Sequence, residues 1–298
     1  MEITSNRIVI SRMIKKAVIP AAGMGTRLLS ITKEIPKEML PLFIRNSFGE
    51  IGLKPVVQIV FEQLFDVGFR EFCFIVGRGK RTIEDHFSPD LRYLANLDES
   101  GKYQASKDLE EFYKKIENST IIWINQPTPK GFGHAILQAK SFTNQEPFLV
   151  HAGDTFITSN KEGHIKQIIQ IKEEADTALC LLEVEDTKHY GIAKISGLKP
   201  PYRVKKVEEK PEKPTTNLAI MPIYLFTENI YNALKETQPG KGNEIQLTDG
   251  IQKLIEQNQK VNAIKLNKAL HLDIGTPESY WNAQKRSFEY LANGQKIN

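Results

Sequence analysis

The chain has 298 residues, 40% hydrophobic and 26% charged, with a formal net charge of +4. That is the make-up of an ordinary soluble globular protein with one large α/β domain or two small ones; the charge is too mild for a nucleic-acid surface and suits a small anionic substrate in a locally basic cleft. No apolar stretch approaches the ~20 residues of a membrane span, and the two cysteines, Cys73 and Cys180, lie in apolar runs as small buried hydrophobes, which points to a reducing, cytoplasmic setting.

Residues 1–15 read as an N-terminal extension. Lys16 to Pro20 is then a first buried strand, and Pro55 to Val67 a helix with Pro55 near its start and Gly68 just past its end. Phe72–Val76, Ile121–Ile124 and Phe148–His151 are further strands. Asp90 to Asn118 is charged and carries no strand signal, so helical excursions are expected there. Strands separated by helical segments predict βαβ units and an α/β fold, a Rossmann-like, mostly parallel twisted sheet flanked by helices. From Thr177 the pattern turns β-rich: Thr177–Val184, Gly191–Ile195, Tyr202–Glu208 and Leu218–Phe226, with Lys-Pro turns between. A helix near Glu244–Gln257, a strand pair (Val261–Leu266 and Ala269–Asp273) and a final helix with Thr276 as N-cap and Pro277 at its first position complete the chain to about Leu291. The expected division is a domain over 16–292, with a nucleotide-binding part near 16–160 and a smaller β-rich part near 177–275, then a tail over 293–298.

The loop after the first strand is Pro20-Ala21-Ala22-Gly23-Met24-Gly25-Thr26-Arg27-Leu28. Its two glycines let backbone N–H groups turn toward an anion, and Arg27 offers a forked donor for phosphate oxygens. The dinucleotide fingerprint requires a third glycine where Leu28 stands, which disfavours a nicotinamide-dependent oxidoreductase, and the Walker Gly-Lys-Ser/Thr is absent. The segment continues as Pro36-Lys37-Glu38-Met39-Leu40-Pro41.

Ala-Ala-Gly-Met-Gly-Thr-Arg-Leu followed by Pro-Lys-Glu-Met-Leu-Pro resembles the signature of the nucleoside-triphosphate sugar-1-phosphate transferases, closest to the branch that transfers uridylyl from UTP to glucose 1-phosphate. The resemblance covers nearly the whole chain. It implies the nucleotide-diphospho-sugar transferase fold, with the β-rich part as a sugar-binding lobe. It also implies substrates in a nucleoside triphosphate and a sugar 1-phosphate, a Mg²⁺ cofactor, and a homodimer or homotetramer.

The site residues follow from the same resemblance. Ala21, Ala22, Gly23, Gly25 and Thr26 would hold the nucleotide, with Arg27 and Lys37 as catalytic cations on its phosphates. Gln126 would read the pyrimidine edge, a task suited to an amide that pairs a donor with an acceptor. Gly131 and Gly133 would let backbone approach base and ribose. Asp154, after the strand Phe148–His151, and Asp273 are the implied Mg²⁺ carboxylates; magnesium takes carboxylate and phosphate oxygens and keeps several waters. Tyr190, Gly191 and Glu209 would line the sugar, with Lys210 on its phosphate. Glu244 to Asp249 also matches, with a structural, helix-bracing role expected.

Three places depart from the pattern. The loop 43–53 is long, Met221-Pro222-Ile223-Tyr224 lacks the glycine expected before the tyrosine, and Asp273-Ile274-Gly275-Thr276 is closer to the thymidylyl- and guanylyl-transferring branches. Uracil and thymine differ by one methyl, which supports only about 1–3 kcal/mol of discrimination. The alternatives are therefore a thymidylyltransferase using dTTP and a non-catalytic nucleotide-sugar-binding paralogue. Retention of both implied metal carboxylates speaks against the latter.

Overall fold

A computed structural model describes residues 14–159 and 163–294, without the side chains of 172, 173 and 241. The N-terminal extension therefore lies, over 1–13, outside the described residues, as do 295–298 of the tail. In chain order the elements are β1 (Lys16–Pro20), β2 (Pro41–Arg45), β3 (Ile51–Pro55), α1 (Val56–Val67), β4 (Glu71–Val76), α2 (Arg81–His86), α3 (Leu91–Glu99), α4 (Tyr103–Glu117) and β5 (Thr120–Asn125). Then come α5 (Phe132–Gln138), α6 (Lys140–Thr143), β6 (Phe148–His151), β7 (Thr155–Thr158), α7 (His164–Gln170), β8 (Thr177–Glu183), β9 (Gly191–Ser196), β10 (Tyr202–Glu209) and β11 (Leu218–Phe226). The chain closes with α8 (Asn229–Glu236), α9 (Leu247–Glu256), β12 (Val261–Lys265), β13 (Leu270–Asp273) and α10 (Pro277–Ala292).

Nine strands form one sheet in the order β5-β4-β1-β6-β11-β8-β12-β10-β9. The α/β class holds, and the four strands β5, β4, β1 and β6 are parallel as expected. Beyond β6 the sheet is mixed: β11 runs antiparallel to both β6 and β8, β12 is parallel to β8, and β10 is antiparallel to β12 and β9. "Mostly parallel" therefore describes only the first half of the sheet. The β-rich second part of the chain is the continuation of the same sheet rather than a sheet of its own.

Alternation along the strands explains their unbroken apolar runs. Ala17 and Ile19 of β1, with Phe72 and Phe74 of β4, enter one core, where α1 packs through Val57, Val60, Phe61 and Leu64. Val18, Cys73 and Ile75 point the other way, into a core closed by Ile136 of α5, Ile230 and Leu234 of α8 and Ile251 of α9. A strand covered on both faces loses the in–out polarity signal. Both cysteines are buried and free, as expected. Lys16 is buried within β1, and its ammonium is satisfied by the carbonyls of Phe142 and Thr143 at 3.0 and 3.3 Å and by Glu146 at 2.6 Å.

Two expectations are corrected. The stretch 43–53 is not a loop but most of the hairpin β2–β3, in register from Pro41↔Pro55 to Arg45↔Ile51 and closed by a turn at Asn46–Glu50. Val261–Leu266 and Ala269–Asp273 are not a pair: β12 enters the main sheet, whereas β13 pairs with β7, a strand without a sequence prediction. Sequence proximity suggested a hairpin, but β12 finds apolar partners in β8 and continues the core there.

Candidate active site

The loops after β1, β5 and β6 leave the C-terminal edge of the parallel strands, where open α/β sheets place ligands. They open onto a cavity of about 500 Å³, within the ~300–1,000 Å³ range of small-molecule sites. From the first loop Ala22, Gly23, Gly25, Thr26 and Arg27 line it. The loop is held by Thr32, whose hydroxyl donates to the Gly25 carbonyl at 2.8 Å, and by the Ala21 N–H donating to the Ile75 carbonyl at 2.8 Å. The exposed Arg27 guanidinium lies against Gly275, beside Asp273.

Lys37 sits at the start of a 3-10 turn (Lys37–Met39), and its ammonium donates to Asp154 Oδ2. Burial works against the charge on Lys37, but Asp154, Glu38 and Asp273 together outweigh it and push its pKa up to about 12. Burial likewise opposes the charge on Asp154, and the Lys37 ammonium with local hydrogen bonds holds that carboxyl below its ordinary value. Asp154 and Asp273 are far apart in sequence and are brought together by the two-stranded ladder of β7 and β13. Asp273 pairs in register with Thr155, the residue after Asp154. The Gly275 N–H donates to Asp273 Oδ2 at 3.2 Å. Two hard carboxylates lining one cavity fit the oxygen-ligand preference of magnesium. Among the described residues no third acidic, His or Cys side chain completes a closed cage.

Gln126 is buried at the end of β5. Its Nε2 donates to the Gly131 carbonyl at 3.2 Å and meets His134 Nδ1 at 2.8 Å. On the opposite wall the Thr248 hydroxyl donates to Glu209 Oε2 at 2.6 Å, and Lys210 Nζ lies 3.1 Å from Glu209 Oε1. The Lys210 N–H donates to the Tyr190 carbonyl at 3.0 Å, which joins the segments that carry Tyr190 and Glu209. Tyr190 packs edge-on to His271, with ring centroids 6.0 Å apart.

Fourteen of the sixteen residues singled out in the sequence thus line one cavity; Ala21 and Gly133 do not. Ala21 is 1% exposed beneath the loop. Gly133 lies inside α5, where a Cβ would come 2.7 Å from the Ile245 carbonyl oxygen, and at Gly131 a Cβ would meet Glu244 at 2.7 Å. The close approach both glycines permit is that of the 244–245 segment, and Gly131 also lines the cavity. That segment brings Glu244, Gln246, Leu247 and Thr248 onto the cavity, so it does more than brace a helix. The signal was available in the run of polar residues just before the apolar helix face. Pro222, which cannot donate to a ladder, sits where the pairing of β11 with β8 shifts between Met221 and Tyr224, and it lines the cavity with Ile220 and Tyr224. Glu38, missed in the sequence, lines the wall beside Lys37.

The sequence profile of the nucleotidyl transferase family matches residues 16–289. A UTP–glucose-1-phosphate uridylyltransferase from Bacillus subtilis is 40% identical over 253 residues, 82% of this chain and 82% of that one. One from Staphylococcus epidermidis is 38% identical over 254 residues, 83% of this chain and 84% of that one. Among solved structures, a UDP-glucose pyrophosphorylase complexed with UDP-glucose superposes with a TM-score of 0.80 at 32% identity, over 93% of this chain and 99% of that one.

Proposed function

The chain belongs to the nucleotidyl transferase family, and from that premise we propose that it transfers the uridylyl group of UTP to glucose 1-phosphate, giving UDP-glucose and pyrophosphate. The observation that carries this reading is the gathering of Arg27, Lys37, Asp154, Asp273, Glu209 and Lys210 on one cavity, in a chain up to 40% identical to uridylyltransferases.

An oxygen of the sugar phosphate attacks the α-phosphorus of UTP. A new O–P bond forms there as the bond to the bridging oxygen breaks, and pyrophosphate departs with that oxygen. The nucleophile is already an anion at neutral pH, so no strong base and no covalent enzyme intermediate are required. The difficulty is bringing two polyanions into line, and positioning with charge neutralisation meets it. Arg27 and Lys37 hold the triphosphate, with Lys37 nearest the α-phosphate, and Lys210 steers the attacking phosphate. Glu209, oriented by Thr248, accepts from sugar hydroxyls. Because Gln126 commits its amide N–H to Gly131 and His134, its carbonyl oxygen is the atom left to accept the N–H of the pyrimidine imide. Asp154 and Asp273 would hold Mg²⁺, which when bound supplies further neutralisation of phosphate charge. The substrates are cytoplasmic in this reading, and the assembly a homodimer or homotetramer, measurable by light scattering.

Pyrophosphate release, assayed with UTP, dTTP, ATP and GTP against several sugar 1-phosphates, tests the reaction. UTP with glucose 1-phosphate is expected to be fastest and Mg²⁺-dependent, with dTTP slower by roughly tenfold to two-hundredfold. Absence of release with every pair would sink the reading.

A further inference from the structure

The loop after β4, Gly77-Arg78-Gly79-Lys80, belongs to none of the motifs above. It nevertheless delivers a buried cation to Glu38, which lines the cavity. Lys80 Nζ donates to Glu38 Oε2 at 2.7 Å, and the two side chains are 8% and 1% exposed. Taking two charges out of water is costly, and an apolar pair of similar volume commonly holds two segments together as well or better. Stability alone is therefore a poor reason for a charged pair here.

Its surroundings direct it at Lys37. Glu38 is the middle residue of the turn Lys37–Met39, and successive side chains of a 3-10 turn point about 120° apart. Fixing the direction of Glu38 therefore fixes that of Lys37. Lys80 in turn is delivered from an anchored element. It immediately precedes α2, whose far end is tied by His86 Nε2 to Gln58 Oε1 at 2.9 Å, and Gln58 donates on to Glu62 at 2.7 Å. Phe87 packs there against Phe61 and Phe112 at 5.1 and 5.4 Å. The same loop touches the phosphate loop where Gly77 lies against Ala22.

We propose that Lys80 is a positioning residue: by clamping Glu38 from the anchored start of α2, it sets the turn that aims Lys37 into the cavity. This rests on the uridylyl-transfer reading above, in which Lys37 holds the α-phosphate.

The test uses the full chain and three variants: Lys80→Met, Lys80→Arg, and the double variant Lys80→Met with Glu38→Gln. Lys80→Met strands a buried carboxylate and loses both thermal stability and activity. The double variant removes both charges, so its thermal midpoint returns close to that of the wild type. Its kcat stays down about 30-fold or more and its KM for UTP rises about tenfold, while its KM for glucose 1-phosphate stays within about twofold. Lys80→Arg keeps the charge and retains activity within about fivefold of wild type. A stable double variant with kcat near wild type, or with both KM values raised alike, would overturn the proposal and leave the pair a plain brace. Should the double variant not fold, Lys80→Arg decides: a loss as deep as that of Lys80→Met overturns the proposal. If the wild type itself releases no pyrophosphate, the uridylyl reading fails, and calorimetric titration with UTP takes over. Binding about tenfold weaker in the double variant supports the proposal, and equal affinity overturns it.

Discussion

Asp154 accepts a hydrogen bond from Lys37 and stands one residue before the Thr155↔Asp273 register pair. The Lys37–Asp154 contact therefore joins the positive wall of the cavity to its acidic floor. In Asp154→Asn the side chain still accepts from Lys37, so the fold is expected to survive at a cost of roughly 1–2 kcal/mol. The negative charge is lost, and kcat in the pyrophosphate-release assay is expected to fall about 10²–10³-fold. Wild-type turnover in that variant would refute the metal assignment. Most candidate site residues were legible one by one because the loop after β1 and the Lys37 turn are each contiguous in sequence. Glu38 and Thr248 were not, because nothing local distinguishes a glutamate one residue after Lys37, or a threonine at a helix start, from a solvated side chain. Their partners, Lys80 and Glu209, are supplied only by the fold.

Helix starts govern two further predictions at the scale of elements. Gly131 precedes α5 with φ +98, and a Cβ there would come 2.7 Å from Glu244 and 2.9 Å from the Ile245 oxygen. Gly131→Ala is expected to cost roughly 1–3 kcal/mol in denaturant unfolding and to raise the KM for UTP more than that for glucose 1-phosphate, because Gln126 donates to its carbonyl. Equal effects on the two substrates would argue against Gln126 as the base reader. Thr276 caps α10 in a reciprocal box with Ser279, at 3.1 Å to the Ser279 N–H and 2.9 Å from the Thr276 N–H to the Ser279 hydroxyl. Thr276→Ala is expected to lower stability by about 1 kcal/mol with kcat nearly unchanged, since Thr276 does not line the cavity. The cap and its following proline were plain in sequence, because capping is decided by neighbours within one turn. The hairpin β2–β3 and the strand β7 were not: their strands are short, half-exposed or embedded in a motif read for its chemistry.

At the scale of the whole molecule, burial disfavours the charged form of several histidines. It holds His86 and His151 down to about 4 and His164 to about 3, against an ordinary value of 6.5. Below pH 6.5 the unfolded chain takes up protons at these sites while the folded chain does not, so stability is full above that value and falls as pH drops toward 4. The loss is roughly 1–2 kcal/mol per histidine by pH 5. Thermal unfolding followed from pH 7.5 to pH 5 checks this, and a midpoint that holds constant or rises on acidification contradicts it.

The sequence by itself determined the α/β class, the positions of most strands along the chain, the glycine-bearing loop after β1 and the reaction family, because each is written in contiguous residues: periodicity, turn chemistry, or a motif with fixed spacing. Only the tertiary structure decided which distant segments share the cavity. Asp273 reaches Asp154 through the β7–β13 ladder rather than through a hairpin with β12, and the 244–248 segment packs onto Gly131 and Gly133 and reaches Glu209. Strand pairing is settled by which apolar faces find a common core, and such non-local contacts leave no mark on the residues between them.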